Sequence, residues 1–243
     1  MFDVNYDFFL IENNFKEIEE VKSEKIQGDT SSKLPLVSIV IPTYKRVSTL
    51  RETLDSAIRQ TGNHNYEILV VDNNPERGDE TELLMAEYVS VKNLLYFKNT
   101  ANIGMAGNWS RCSELAHGEW VVLIHDDDLL VNNYLDEIEP CLINCVDGLF
   151  VCPKTFIDGE PLPTLNNSER MEIMKITLMY QYLFPILCAS GNALRKSKIL
   201  EYGGYTSKTY APDFFFSKMV YYSNVYMTNK SLIYYRKGLN EST

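Results

Sequence analysis

The stretch VSIVIPTYKR, residues 37–46, decides the fold. Its first five residues are mostly β-branched and are enclosed by prolines, which is typical of a short strand buried on both faces of a parallel sheet. We expect Ser48 to cap a helix that continues to about Gln60. A second apolar run, EILVV at residues 67–71, then leads into Asp72. A strand, a helix and another strand in this order predict a βαβ unit.

The alternation continues along the first half of the chain. Helices are predicted for residues 79–89 and 104–116, and strands for residues 94–97 and 120–124. Since ligands of such sheets bind beyond the carboxyl ends of the strands, polar residues at the strand ends predict a site. These residues are Thr43 to Arg46 after the first strand, Asp72 after the second and Asp126 to Asp128 after the fourth.

The second half of the chain is less regular. Its sequence predicts a strand at 148–152, a loop at 154–168, a helix at 169–183, a strand at 186–194, a helix at 212–222 and a strand at 232–235. In the first of these helices Met171, Met174, Leu178 and Tyr182 share one stripe, which we expect to pack in the core. The whole pattern indicates the α/β class, with a mostly parallel sheet flanked by helices.

Residues 1–33 have a different pattern from the rest. Ile11, Phe15, Ile18 and Val21 recur at helical spacing, and a polar stretch that resembles a linker follows from Gly28. We therefore predict an N-terminal helical extension and linker over residues 1–33. Packing of this helix on the main domain is the simpler interpretation, and binding of a partner or of a second copy stays open.

The charge of the chain excludes one class of partner. The 243 residues include 23 Lys and Arg and 33 Asp and Glu, which gives a net charge of −10. Binding to nucleic acid needs a basic surface that neutralises phosphates, so no nucleic-acid partner is expected. No apolar run approaches the roughly 20 residues of a membrane-spanning helix, and the N-terminus lacks the features of a secretion signal. We expect a cytoplasmic protein, and peripheral association with the inner face of the cell membrane stays open.

Cysteine and histidine offer little for a metal site. The 5 cysteines form no C-x-x-C pair, and an odd number argues against a disulfide framework, so we expect packing residues. The 3 histidines are too few for a site built from histidine alone.

The aspartate triplet suggests a bound cation. Adjacent carboxylates repel one another, and Mg²⁺ takes one or two protein carboxylates together with phosphate oxygens. The alternative is a solvated acidic turn before the next helix. Asp72 could accept from a base or a ribose, or it could form an Asx turn. Lys45 and Arg46 could pair with phosphates or be solvated. No G-x-G-x-x-G motif and no P-loop is present, so these two kinds of nucleotide site lack support.

Four ordered blocks resemble the family 2 glycosyltransferases of the GT-A fold. They are VSIVIPTYKR (37–46), EILVVDN (67–73), NIGMAGNW (102–109), and the block that joins HGEW (117–120) to the aspartate triplet. The resemblance covers residues 36–140. It implies a Rossmann-like sheet in one catalytic domain, residues 34–243, with a nucleotide-sugar-binding half at 34–140 and an acceptor-binding half at 141–243.

The resemblance also implies roles for individual residues. Asp126 and Asp128 would form the D-x-D pair that holds Mn²⁺ or Mg²⁺, with Asp128 the more direct metal ligand and Asp126 nearer the ribose. The residues implied to bind the nucleotide-sugar are Pro42, Thr43, Tyr44, Arg46, Asp72, Asn102, Gly104, Asp126 and Asp127.

The family often places its general base in an E-D pair at a helix start, after a G-G-[FY] turn. Here Gly203-Gly204-Tyr205 is followed by Pro212-Asp213, so the resemblance implies Asp213 as the base, with Asp158 and Glu201 as the next candidates. An aspartate that only stabilises the helix start is the alternative. Relatives often end with Y-R-x-H, whereas this chain has YRKG at 235–238. Either Arg236 and Lys237 supply positive charge to the diphosphate, or the site is more open.

The resulting expectation is an inverting, metal-dependent glycosyltransferase. It would transfer a sugar from a UDP-sugar to a hydroxyl of a saccharide or lipid-linked acceptor in surface polysaccharide synthesis. A catalytically silent accessory subunit of the same fold is the alternative, because Pro212 replaces one acid of the pair. A nucleotidyltransferase has less support, since no Gly-rich basic loop follows the first strand. A homo-oligomer stays open.

Overall fold

The computed structural model describes residues 7, 9–29, 33–144, 147–165, 170–184, 188–208 and 214–238. In this part of the chain one ten-stranded sheet runs through the molecule with helices on both faces. The strands are β1 (Ser23–Gln27), β2 (Val37–Thr43), β3 (Tyr66–Asp72), β4 (Leu94–Asn99), β5 (Trp120–Leu123), β6 (Leu129–Leu130), β7 (Gly148–Ile157), β8 (Ile173–Lys175), β9 (Asn192–Arg195) and β10 (Val225–Lys237). The helices are α1 (Val47–Ile58), α2 (Glu80–Ala86), α3 (Gly104–Leu115), α4 (Tyr134–Asn144), α5 (Leu178–Leu183), α6 (Lys196–Glu201) and α7 (Phe215–Tyr222).

The first half of the chain forms a parallel sheet. β2 lies between β3 and β5, and β4 pairs with β3, all in parallel register. Every residue of β2 is buried, as its β-branched sequence predicts. The α/β class and the mostly parallel sheet flanked by helices are therefore confirmed. The carboxyl ends of β2, β3 and β5 meet at one edge, which brings the three polar clusters to one side of the molecule.

The second half extends this sheet with antiparallel pairs. β9 joins β5 to β7, and the long strand β10 runs parallel to β7. Near its carboxyl end β10 also pairs with β6, which directly follows the aspartate triplet. β10 therefore carries Arg236 to the same edge as the triplet.

The N-terminal helix prediction is wrong. Residues Asn14–Glu17 form only a single 3-10 turn, and the following residues form β1, which pairs antiparallel with β4 at the edge of the sheet. The free edge of β4 offers a full row of hydrogen bonds, which a short isolated helix cannot match. Gly203 allows this segment to come close, because a Cβ built there would lie 1.7 Å from the carbonyl oxygen of Glu12.

The helix predicted for residues 169–183 is also wrong in length and in burial. Its first part contains the short strand β8, which pairs with β10, and only α5 is helical. Met174, Leu178 and Tyr182 are 47%, 49% and 83% exposed, and of the predicted stripe only the partly buried Met171 packs against the core. Strands β2 to β5 and helices α1 to α3 agree with the sequence prediction to within a few residues. In the second half β7 continues to Ile157 instead of ending at residue 152, β10 begins at Val225 instead of residue 232, β9 covers only Asn192–Arg195 of the strand predicted from residue 186, and α6 was not predicted. Ser48 lies inside α1, which begins after Arg46 without a side-chain cap.

Two further observations concern the cysteines and the apolar character of the helices. Cys112 is buried and Cys141, Cys152 and Cys188 are partly buried free thiols, while Cys145 lies outside the described residues. None of the described helices has both the length and the apolar character that crossing a membrane requires.

Candidate active site

Thr43 and Arg46 follow β2 and contact the aspartate triplet. The Thr43 hydroxyl donates to Asp126 Oδ2 at 2.8 Å, and Arg46 Nη1 lies 3.2 Å from Asp126 Oδ1. The second guanidinium nitrogen of Arg46 lies 3.1 Å from Asp127 Oδ2. Both oxygens of Asp126 are thus paired. Burial raises the pKa of Asp126 to about 6, although the Arg46 charge and the Thr43 hydroxyl oppose the shift.

The loop that carries Arg46 exposes side chains at the edge of the sheet where the aspartate triplet lies. Tyr44 is 40% exposed, and Lys45 has a positive φ of 56°, which turns the chain sharply between β2 and α1. The exposed Tyr44 ring and the partly exposed Arg46 guanidinium, 25% accessible, lie beside the buried carboxylates. This is a surface on which a planar base and a phosphate could bind.

Asp72 is completely buried at the end of β3. Its Oδ2 accepts hydrogen bonds from Lys98 Nζ at 2.8 Å and from the Tyr96 hydroxyl at 3.0 Å, and its Oδ1 accepts from the Asn74 backbone N–H at 2.9 Å. Burial raises the pKa of Asp72, and these donors oppose the rise. The Asx turn that the sequence left open is therefore present. The carboxylate of Asp72 thus accepts hydrogen bonds from three groups of this chain. That Asp72 also contacts a nucleotide stays a prediction.

A network of asparagines lies next to Asp72. Asn73 Nδ2 donates to Asn102 Oδ1 at 2.8 Å, and Asn73 Oδ1 accepts from Asn99 at 3.0 Å. Asn99 also donates to Asn108 Oδ1 at 2.9 Å. Asn102 Oδ1 in turn accepts from the backbone N–H of Gly104, at the start of α3, at 2.8 Å. The buried residues Asn73, Asn99 and Asn108 thus fix the loop between β4 and α3, a role the sequence did not reveal, and the exposed Asn102 and Gly104 are attached to them.

His125, Asp127 and Asp128 lie together and form the candidate metal site. One ligand atom from each lies within 4.8 Å of the others. Asp128 Oδ2 and His125 Nε2 are buried without a hydrogen-bond partner among the described residues, and His125 Nδ1 lies 3.5 Å from Asp128 Oδ2. Burial raises the pKa of Asp128 to about 6. A divalent cation fits this set, because it would satisfy buried atoms that otherwise lack partners.

This set differs from the D-x-D pair expected from the sequence. Asp128 lies in the group as expected, but the group contains His125 and Asp127 instead of Asp126. Asp126 points its two oxygens at Thr43 and Arg46. The number of histidines in the chain does not single out His125 as a metal ligand. The signal that could have found it is its position directly before the triplet.

Arg236 holds the triplet loop from the side of β10. Its backbone N–H donates to Asp128 Oδ1 at 2.9 Å, and its Nε donates to the carbonyl oxygen of Asp127 at 2.8 Å. The guanidinium also bonds to Asp158 and, at 2.6 Å, to Glu52 Oε2. Arg236 is 2% exposed. The suggestion that its charge reaches a diphosphate is therefore not supported, since the side chain binds groups of this chain.

The acceptor side is described only in part. Asp213, implied as the general base, lies outside the described residues, as does Pro212. Of the two further candidates, Asp158 is bonded to Arg236, and Glu201 is paired with Lys198 at 2.8 Å on α6. The Gly203-Gly204 turn contacts the N-terminal segment, where the Asn14 backbone N–H donates to the carbonyl of Gly203 at 2.9 Å.

Comparison with known proteins identifies the class to which this fold and site belong. The family model of glycosyl transferase family 2 matches residues 38–203, and the chain belongs to that family. It is 32% identical over 127 residues to the O-antigen biosynthesis protein RfbC of Myxococcus xanthus, a match that covers 51% of this chain and 10% of RfbC. Matches to the first curated relatives cover 36% to 46% of those proteins, so the chain spans less than half of their length.

Solved structures share the fold. TarS 1–349 of S. aureus in complex with UDP-GlcNAc superposes with a TM-score of 0.68 at 19% identity, and the match covers 84% of this chain and 59% of the TarS 1–349 chain. The mannosyltransferase PcManGT from Pyrobaculum calidifontis, in complex with GDP-Man and Mn²⁺, gives a TM-score of 0.62 at 17% identity, with 90% and 61% coverage. The chain is thus a member of glycosyl transferase family 2 and shares the fold of these two structures.

Proposed function

We propose that this glycosyltransferase is an inverting, metal-dependent enzyme that transfers a sugar from a UDP-sugar to a hydroxyl of a saccharide or lipid-linked acceptor. The observation that carries the proposal is the pair of buried, unpartnered atoms, Asp128 Oδ2 and His125 Nε2, beside the Thr43–Asp126–Arg46 contacts. The TarS structure with bound UDP-GlcNAc supports a UDP-sugar as donor. The name of RfbC supports a role in surface polysaccharide synthesis.

The residues of the edge would share the work of holding the donor. His125, Asp127 and Asp128 would hold Mn²⁺ or Mg²⁺, which stabilises the charge of a leaving diphosphate. The guanidinium of Arg46 is partly exposed. It can donate a hydrogen bond to a phosphate of the nucleotide-sugar while it stays paired with Asp126 and Asp127. Pro42, Thr43 and Tyr44 would line the nucleotide.

Proton removal from the acceptor falls to Asp213 in this proposal. Inversion requires a base on the face of the sugar opposite the leaving group. Asp158 and Glu201 are less suited, since each is engaged by a cationic side chain. A catalytically silent subunit remains the alternative. The two buried atoms that lack a hydrogen bond argue against it, because a buried polar atom without a hydrogen bond destabilises a protein that has no ligand for it.

The test measures release of nucleoside diphosphate from UDP-GlcNAc and GDP-Man with Mn²⁺, with and without a panel of saccharide acceptors. We expect acceptor-dependent release from one donor, and loss of that release in EDTA. Asp213→Asn, which keeps the shape of the side chain but cannot take a proton, should lower transfer by roughly 10²–10⁴ while donor affinity stays near that of the wild type.

Three results would count against this account. Failure of the wild type to bind or turn over any donor would favour the silent subunit. Transfer by Asp213→Asn at the wild-type rate would assign the base to another group. Loss of donor affinity together with rate would show that Asp213 supports the helix start instead.

A further inference from the structure

The imidazole of His125, just after β5, is oriented by contacts that do not use its ring nitrogens. The backbone N–H of His125 donates to Ser190 Oγ at 3.1 Å. One face of the ring stacks on the buried indole of Trp109 on α3, with centroids 5.1 Å apart and ring planes at 26°. Because the lone pair of an imidazole nitrogen lies in the ring plane, a stack on the face fixes the ring and leaves the nitrogens for a ligand.

His125 and Asp128 each bury a polar atom that has no hydrogen bond among the described residues. These atoms are His125 Nε2 and Asp128 Oδ2, and the Asp128 side chain is completely buried. The other ring nitrogen, His125 Nδ1, lies 3.5 Å from Asp128 Oδ2, whereas a charge-assisted hydrogen bond is about 2.8 Å long. A direct contact between the two side chains therefore does not account for the buried atoms, and a cation bound by nitrogen and oxygen does.

The candidate metal site offers three ligands from the chain itself. With Asp127 the set contains one nitrogen and two oxygens, all within 4.8 Å of one another. Ligands at about 2.1 Å from a transition-metal ion lie up to about 4.2 Å apart, so small side-chain movements would close the set around an ion. Three protein ligands that include an imidazole are typical of transition-metal sites, whereas Mg²⁺ takes one or two carboxylates and relies on waters and phosphates.

Arg46 lowers the negative charge that a hard cation needs. Its Nη1 lies 3.2 Å from Asp126 Oδ1, and its Nη2 lies 3.1 Å from Asp127 Oδ2. Mg²⁺ binds through charged oxygens and loses its waters reluctantly, so a carboxylate shared with an arginine is a poor ligand for it. A neutral imidazole nitrogen binds a transition-metal ion without any negative charge.

We propose that His125 makes this edge of the sheet a transition-metal site, which binds an ion such as Co²⁺ more tightly than Mg²⁺ and holds it before the nucleotide arrives. This inference rests on the proposed function, which places a cation at the same residues. It adds the choice of ion and the order of binding. A site with oxygen ligands alone would instead take up its ion together with the diphosphate.

Calorimetric titration of Co²⁺ and of Mg²⁺ into the untagged, nucleotide-free chain tests the proposal. We expect Co²⁺ to bind at least about 100-fold more tightly than Mg²⁺. His125→Asn removes the imidazole and adds no charge, so it should weaken Co²⁺ binding at least about tenfold and change Mg²⁺ binding little. The control is His117→Asn, since His117 precedes β5, its Nδ1 lies 2.9 Å from Glu67 Oε2, and Co²⁺ affinity should not change. Circular dichroism checks that each variant is folded.

Pulsed electron paramagnetic resonance of Mn²⁺ bound to the nucleotide-free chain gives a second readout. We expect a coupling between Mn²⁺ and a ligand nitrogen in the wild type, its loss in His125→Asn and its retention in His117→Asn. A histidine that only supports the loop would give no such coupling in the wild type, so this measurement holds even where His125→Asn does not fold.

The contrary outcomes separate this inference from the proposed function. Absence of Co²⁺ binding to the nucleotide-free chain, together with cation-dependent binding of UDP, would overturn the inference and leave the proposed function in place. Absence of cation binding both with and without UDP would count against both. Equal affinity for Co²⁺ and Mg²⁺, or bound Mn²⁺ without nitrogen coupling, would remove His125 from the ligands.

Discussion

Three consecutive aspartates have three different environments. Asp126 is held by Thr43 and Arg46, Asp127 by Arg46, and Asp128 by the backbone of Arg236, with one oxygen left unpartnered among the described residues. The spacing of the three aspartates along the sequence does not reveal that their surroundings differ. It depends on which strand lies beside the triplet, and therefore on the tertiary fold.

The division predicts unequal effects of two neighbouring substitutions. Asp127→Ala should lower the affinity for Mn²⁺ alone by roughly 10–100-fold, because it removes one of three ligands. Asp126→Ala should change that affinity much less, since Asp126 is outside the group. Titration of Mn²⁺ followed by electron paramagnetic resonance gives both values. A greater loss in Asp126→Ala than in Asp127→Ala would restore the D-x-D pair expected from the sequence.

Removal of the Arg236 side chain should lower the stability of the fold. Arg236→Ala deletes the buried partner of Glu52 and Asp158 and the bond to the Asp127 carbonyl. Both carboxylates are about half exposed and can rehydrate, so we expect a loss of about 2–3 kcal/mol rather than the larger cost of a fully buried pair. Urea denaturation of the wild type and the variant measures this loss in the free energy of unfolding. The control is Arg51→Ala, which removes an exposed pair with Glu87 and should cost much less stability than Arg236→Ala. Equal costs would contradict the role given to Arg236.

At the scale of elements, the loop after α1 is tied to the start of α4 by His64. Its Nε2 lies 2.9 Å from Asp136 Oδ1, and its Nδ1 lies 2.9 Å from Glu139 Oε2. Burial lowers the pKa of His64, but the hydrogen bonds to Glu139 and Asp136 raise it by more, so the net shift is upward from 6.5. The cluster lines a surface cavity of about 400 Å³ with Pro140 and Ile143.

This shift predicts a dependence of stability on pH. A group whose pKa is raised by folding stabilises the protein fully below its unfolded pKa, and that contribution is lost as the pH rises through the folded pKa. His64→Gln should therefore cost roughly 0.5–1 kcal/mol more at about pH 6 than at about pH 8. Chemical denaturation at both pH values gives the difference between wild type and variant. A cost that is equal at both values, or larger at the higher one, would contradict the assignment.

The elements that the sequence predicted correctly are those with a strong local pattern. β2 and β3 are nearly continuous apolar runs, so local preference and tertiary burial agree. β1 and β8 could not be found in this way. Both are short edge strands without a buried residue, and each forms only because a neighbouring strand, β4 or β10, offers it hydrogen bonds.

At the scale of the whole molecule, topology brings distant residues to one edge. Thr43, Asp72 and Asp126 lie at the ends of parallel strands, and the sequence could place them together through the rule for such sheets. Arg236 reaches the triplet only because β10 pairs with both β6 and β7. No local pattern in the sequence indicates that pairing, so the sequence alone does not predict that the second half of the chain supports the triplet.

The central claim is that the triplet edge binds a nucleoside diphosphate through a divalent cation. Isothermal titration calorimetry of UDP into the wild type, with Mn²⁺ and then with EDTA, tests it directly, with Asp128→Ala measured in parallel. We predict that UDP binds the wild type at least about tenfold more tightly with Mn²⁺ than with EDTA, and that Asp128→Ala removes this difference. An affinity that depends on Mn²⁺ as strongly in Asp128→Ala as in the wild type would contradict the claim.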